Sequence, residues 1–367
     1  MKYLMILSLY LFSLTVSAQD CDKEALKTIP GKWLPQPAST VASKLSAAEI
    51  DGAKKVLDQI QQLFQKQFKP VGMDTYHAHH YMDNEYIDKK SNYGNYSIYT
   101  IRSFLFYCSK GKKETSSEGV GSYVHINPGG IFGKYFSEVP LNDEYGKLNS
   151  ELHHGGFYGF ESNELTDAKL PDFSNGYYIQ QTFSDYKVWI TYEGKQPFRY
   201  VTRREFLEKQ VAIAEAQMKE QQQTYSSKEF KDMLAMMPQQ NKEKVLDEMK
   251  KGQSVLYERP LEAYKEDLKK DAAWLNQMAV VESVSIRDPK TNAHLYSRYG
   301  FTELNNPNRS FFVPIMPNPS YYNRSLPKWA PQFITINVPG PGSFMTKDVQ
   351  RIVANNIEFF KSLLVRQ

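Results

Sequence analysis

Little in this 367-residue sequence announces a function. It holds only two cysteines, which leaves room for one disulfide at most. Beyond the first eighteen residues no apolar run reaches the ~20 residues that a membrane-spanning helix needs. Neither sign of charge dominates: 45 Lys and Arg stand against 41 Asp and Glu, a formal net charge of +4. That balance argues against a nucleic-acid partner, which would call for a basic surface. The chain has no internal repeat and no low-complexity tract. It has no Gly-x-Ser-x-Gly elbow, so the nucleophile of an α/β-hydrolase is missing. Gly119-Val120-Gly121, Gly155-Gly156 and Gly340-Pro341-Gly342 lack the strand-to-helix setting of a phosphate cradle. No cofactor is expected.

What is present begins at the N-terminus. Lys2 precedes an apolar run from Tyr3 to Leu14, and the small residues Val16, Ser17 and Ala18 follow. This order of charge, apolar run and small residues is that of a secretory signal. The expectation is cleavage after Ala18 and a mature chain that is exported, periplasmic or extracellular, and bacterial. Loss of Lys2 takes the formal net charge from +4 to +3. In an oxidising compartment Cys21 and Cys108 are expected to pair, tying the mature N-terminus to a strand.

Hydrophobic spacing predicts an α+β fold. Ser46-Ala47-Ala48-Glu49 is a capping box, and Ile50, Ala53, Val56, Leu57, Ile60 and Phe64 then form one helical face that ends before Pro70. Strands are expected at 96–108, 120–126, 177–183 and 186–192, the last two as a hairpin around Ser184-Asp185. Residues 128–176 read as a long loop region with little regular structure. From Thr202 to Trp274 the pattern is helical. Thr202-Arg203-Arg204-Glu205 and Ser226-Ser227-Lys228-Glu229 act as caps, with breaks expected near Tyr225, Pro238 and Gly252 and Pro260 in the first turn of a further helix. Short strands return at 279–286, 311–315 and 332–338, and one last helix is expected over 346–364. The simplest assembly is a mixed or antiparallel sheet body, 19–201 and 277–367, built from both ends of the chain. A helical hairpin or small bundle, 202–276, is inserted between them. Gly31-Lys32-Trp33 resembles, over three residues, the Gly-x-Trp element near the start of lipocalins. A lipocalin continues into hairpins; here a helix follows, so no lipocalin fold or site is carried over.

Two constellations compete for function. On a strand, His77 and His79 would share a face, a spacing that suits zinc, with His125, His153, His154 or Asp83 as further ligands. That is the basis for an exported, metal-dependent hydrolase. Ser109/Lys112 and Ser325/Lys328 have the spacing of a serine–lysine pair but lack its helix start. The favoured expectation is a non-catalytic exported binding or scaffold protein that contacts an envelope protein, a peptide or a glycan through rings on loops. The rings expected to do this are Phe157 and Tyr158 in one loop region and Tyr321, Tyr322 and Trp329 in the proline-rich segment from Pro317.

Overall fold

The computed structural model describes residues 21–36, 45–82, 95–128, 157–162, 165, 169–181, 185–306, 310–318, 320–340 and 345–365. The expected signal, the loop residues 129–156, the 184–185 turn's first residue, and the candidate ligands Asp83, His153 and His154 lie outside them.

Helix α1 (Lys23–Leu26) and strand β1 (Trp33–Pro35) precede the long helix α2 (Ala47–Gln67). The Ser46 hydroxyl and the Glu49 carboxylate cap α2 reciprocally, so the box is present as read. There follow β2 (Met73–Met82), β3 (Tyr96–Ser109), β4 (Lys112–Thr115), β5 (Val120–Ile126), β6 (Tyr158–Glu161), β7 (Tyr177–Gln181), β8 (Asp185–Ile190) and β9 (Phe198–Tyr200). Lys110 and Gly111, both at positive φ (49° and 73°), make the two-residue turn between β3 and β4. The helical stretch comprises α3 (Arg203–Ser226), α4 (Lys228–Ala235), α5 (Gln239–Gln253), a π-helical turn (Ser254–Glu258), α6 (Arg259–Asp267) and α7 (Ala272–Leu275). The chain closes with β10 (Val281–Arg287), β11 (His294–Phe301), β12 (Phe312–Pro317), β13 (Ile334–Pro339), α8 (Thr346–Asn355) and α9 (Ile357–Leu363).

These strands make two mixed or antiparallel sheets, so the fold is α+β. The larger runs β1-β2-β3-β5-β13-β8-β7, with β4 on β3; among the described residues only the β1–β2 pair is parallel. The smaller runs β11-β10-β12-β6, with β9 also on β12. Both are built from the two ends of the chain. The late strand β13 sits between β5 and β8, and the late strand β12 pairs with β6 and β9. β13 can be central because every residue from Ile334 to Val338 is buried.

Alternation sorts β13 between two faces. Ile334, Ile336 and Val338 join Tyr99, Ile101, Val124 and Val188 under α2, α8 and α9. The opposite face carries Thr335 and Asn337, and beside them Trp189 and Phe333 pack on Phe160, Val313 and Ile315 of the smaller sheet.

The helical block is rooted in the smaller sheet. Thr202 and Met278 form an antiparallel bridge, and Arg203 N–H donates to Gln277 O at 2.9 Å, so the two ends of the block lie side by side. Phe206 packs with Val281 and Phe312, and Leu207 with Tyr264 and Leu275. Arg298 of β11 holds Asp267 of α6 at 2.5 Å. Further out, no residue of α5 is buried. No helix among the described residues is long and apolar enough to cross a membrane.

Four expectations are corrected. Gly252 marks no break, because α5 continues through the π turn into α6 as one helical run; nothing stands within 4 Å of where a Cβ at residue 252 would be, and the glycine is simply tolerated there. The final helix is two segments, because Asn356 leaves helical geometry (φ −126°, ψ 26°), and its Nδ2 donates to Ile352 O while its side chain pairs with that of Gln67. Within 128–176, Tyr158–Glu161 forms β6, held by pairing with β12 rather than by its own propensity. The second cap is Ser227, one residue after the expected start, accepting from Phe230 N–H at 3.1 Å.

Candidate functional site

A cleft of about 460 Å³ opens between the β8–β9 connection and the start of the proline-rich segment. The connection Tyr192-Glu193-Gly194-Lys195-Gln196-Pro197 turns sharply because Gly194 takes φ 67°, where a side chain would be strained, and Lys195 N–H donates to Tyr192 O at 3.1 Å. Asn318 fastens the facing wall to it: its N–H donates to Pro197 O and its Nδ2 to Gln196 O, both at 3.0 Å. The Asn318 Oδ1 in turn accepts from Ser320 N–H and from Ser320 Oγ, at 3.2 and 2.7 Å. Tyr321 is the pillar beneath. Its hydroxyl donates to Gln332 O at 2.7 Å and accepts from Tyr192 N–H at 3.2 Å.

Among the described residues, the charged side chains of the cleft are Lys195 and Arg199. Arg199 is held in place rather than loose. Its Nη1 and Nη2 donate to the Glu205 carboxylate at 2.9 and 2.6 Å. Glu205 is itself fixed by the capping box of α3, accepting from Thr202 N–H at 2.9 Å and Thr202 Oγ1 at 3.0 Å. The Arg199 hydrogen bonds, with help from Thr202, hold the Glu205 carboxyl down at about 2. Gln196 and Tyr200 complete the polar lining; the Tyr200 hydroxyl is buried and has no hydrogen-bond partner among the described residues, and burial pushes its ionisation well above the phenol range. The arrangement offers amide, guanidinium and ammonium donors in a shaped recess, and among the described residues its lining includes no carboxylate and no imidazole.

The chain matches no protein-family model, no curated protein and no solved structure. What it does is therefore argued from its own residues.

The rings expected to form a contact surface go elsewhere. Tyr321 and Tyr322 are 1% and 7% exposed and pack in the core between the sheets, with Tyr321 at the floor of the cleft. Trp329 lies against α2. Phe157 stacks on Phe206 at the root of the helical block, with centroids 5.6 Å apart. Tyr158 lies in β6, paired with Ile315. Tyr321 and Tyr322 turn inward because two sheets and three helices leave large interior volumes that loops must help fill.

His77 and His79 do lie on a strand and share a face, their rings 6.4 Å apart under α2. The sheet register removes His125 as a third ligand. His79 is opposite Tyr99, and Tyr99 is opposite Val124, so His125 projects from the other face of the sheet. There it accepts or donates a 2.6 Å hydrogen bond with Tyr96. Among the described residues no group of three His, Cys, Asp or Glu side chains is placed to hold a metal ion. Burial draws the His79 imidazole down to about 4, only partly opposed by Asp58 Oδ1 at 3.7 Å.

Cys21 and Cys108 are joined as a disulfide, Cα atoms 5.6 Å apart. Sequence reasoning missed Lys195, Gln196, Arg199 and Ser320. The available signal was the run of turn-forming residues Glu193 to Pro197 just ahead of the Thr202 capping box.

Proposed function

We propose that this is an exported, non-catalytic binding protein that holds a glycan in the cleft between the β8–β9 connection and the Asn318–Tyr321 turn. The observation that carries this reading is the set of polar residues that line one recess: Lys195, Gln196, Arg199, Asn318 and Ser320, with Tyr200 beside them. Sugars are recognised by hydrogen bonds to hydroxyls with an aromatic ring alongside, whereas an apolar peptide side chain would call for an apolar pocket. Among the described residues this lining holds no carboxylate and no imidazole, which supports holding over acid–base chemistry at the cleft. The Cys21–Cys108 disulfide is in keeping with an oxidising compartment, and so with export.

The test is capture of immobilised oligosaccharides by the purified protein, with extended peptides as a parallel panel. Gln196→Ala and Lys195→Ala should each weaken glycan capture at least tenfold with an unchanged melting temperature. Capture that is indifferent to both changes, or confined to the peptides, would remove the cleft as the glycan seat.

A further inference from the structure

The guanidinium of Arg199 is only half used. An arginine has five N–H donors on a planar fork, with two edges that each match a carboxylate. Glu205 occupies the end-on edge, Nη1 and Nη2. The second Nη1 proton is aimed at the Tyr200 carbonyl, a long contact of 3.5 Å. The side-on edge, Nε–H with the remaining Nη2–H, makes no hydrogen bond among the described residues, and the side chain is 42% exposed where it lines the cleft.

We propose, resting on the reading of this cleft as a glycan seat, that it selects a glycan bearing uronate carboxylates, one of which closes on the side-on edge of Arg199. Orientation supports this. Glu205 is fixed by Thr202 and fixes the fork in turn, so little side-chain entropy is lost when a second planar anion docks. The walls leave the side-on edge of Arg199 to the ligand. Asn318 and Ser320 are bonded to one another and to the Gln196 carbonyl, while no hydrogen bond of the Gln196 carboxamide occurs among the described residues. A carboxylate on Arg199 would therefore have a neutral amide nearby for ring hydroxyls.

Calorimetric titration at low salt with trigalacturonate and with its methyl ester tests the proposal, since the two share shape and differ in charge. The acid should bind at least tenfold more tightly than the ester. Arg199→Lys keeps a cation for Glu205 but has no second edge, and should bring the acid to within threefold of the ester. That the acid–ester comparison needs no variant guards against a misfolded Arg199→Lys. An ester that binds as well as the acid, with Gln196→Ala weakening both, overturns the carboxylate while leaving the cleft as a glycan seat. Binding of neither sugar overturns both. Tighter binding of a sulfated trisaccharide or of a glutamate-rich peptide than of trigalacturonate also overturns the proposal.

Discussion

The indole of Trp329 lies across Gly52 in the second turn of α2, so close that a Cβ at residue 52 would stand 2.3 Å from its Cδ2. Glycine inside a helix is unfavourable by about 1 kcal/mol relative to alanine, so helix propensity alone would favour Gly52→Ala. The rigid ring reverses the sign. Gly52→Ala should lower stability by roughly 1–2 kcal/mol through overpacking. In a Trp329→Ala background the same change should be neutral or stabilising. Urea denaturation of the four proteins of this cycle measures the coupling; a destabilisation that persists without the indole would show that the ring is not its cause.

Tyr99 and Tyr321 are both buried, yet their hydroxyls should behave oppositely. The Tyr99 ring stacks on Phe64, and its hydroxyl has no partner among the described residues. Tyr321 bonds both Gln332 and Tyr192. Tyr99→Phe removes an unsatisfied polar atom and should leave the melting temperature equal or raised, whereas Tyr321→Phe should lose about 1–2 kcal/mol. Equal losses at the two positions would contradict the difference.

Acid should unfold this protein early, through histidine. His79 is faced by Lys54 and Asp58 from α2, by His77, His80 and Tyr81 on its own strand, and by Tyr99 across β3. Burial sets its folded pKa at about 4, below the 6.5 of the unfolded chain. His125, fully buried, is drawn down to about 3 in the same way. The unfolded state therefore binds the extra protons, and stability falls as pH drops below 6.5, the His79 loss becoming complete below 4. Between pH 7 and 5 each such histidine accounts for about 2 kcal/mol. The depressed carboxylates Glu49 and Glu205, held low by hydrogen bonds from Ser46 and Arg199, act only further down, as pH falls below their ordinary value of 4.5. Burial lowers His77 and His80 as well, so His79→Gln should flatten the decline of the urea midpoint between pH 7 and 5 in part, not abolish it. An unaltered slope would place the acid sensitivity elsewhere.

The Cys21–Cys108 bond closes a loop with a sequence separation of 87 and pins α1 beside β3. In the chain-entropy account a loop of this length stabilises by roughly 4 kcal/mol. The Cys21→Ser, Cys108→Ser double variant should melt well below the native protein under non-reducing conditions, and dithiothreitol should lower the native melting point towards it. Identical melting of the two proteins would mean that the bond constrains nothing.

Local signals were legible where chemistry is local. The boxes at Ser46–Glu49 and Thr202–Glu205 mark helix starts because each residue meets its partner within one turn. The apolar rows of α2 and β13 mark core faces for the same reason: residue spacing alone puts them on one side. The α+β class and the inserted helical hairpin follow from those patterns. β11 escaped notice because it is a half-exposed strand without clean alternation, held by β10 across the Asp288–Asn292 turn.

The direction of the loop rings could not be read in that way. Whether Tyr321 or Trp329 meets water or core depends on what stands opposite, and their neighbours Tyr192 and Gly52 lie more than a hundred residues away in the chain. The same holds for His125, which the register of β3 against β2 and β5 sends to the face opposite His79. The cleft is the clearest case. Its walls come from 194–200 and 318–321, brought together by the pairing of β9 with β12 and by hydrogen bonds of Asn318 to Gln196 and Pro197. Residue order determined the helices, the strand faces and the cysteines available to pair; only the packing of two sheets, each strung from both ends of the chain, decided which polar groups would meet around Arg199. Periodicity carries information over one turn or one pleat, whereas a site assembled from distant segments depends on strand order and register, which are settled by the burial of the whole core.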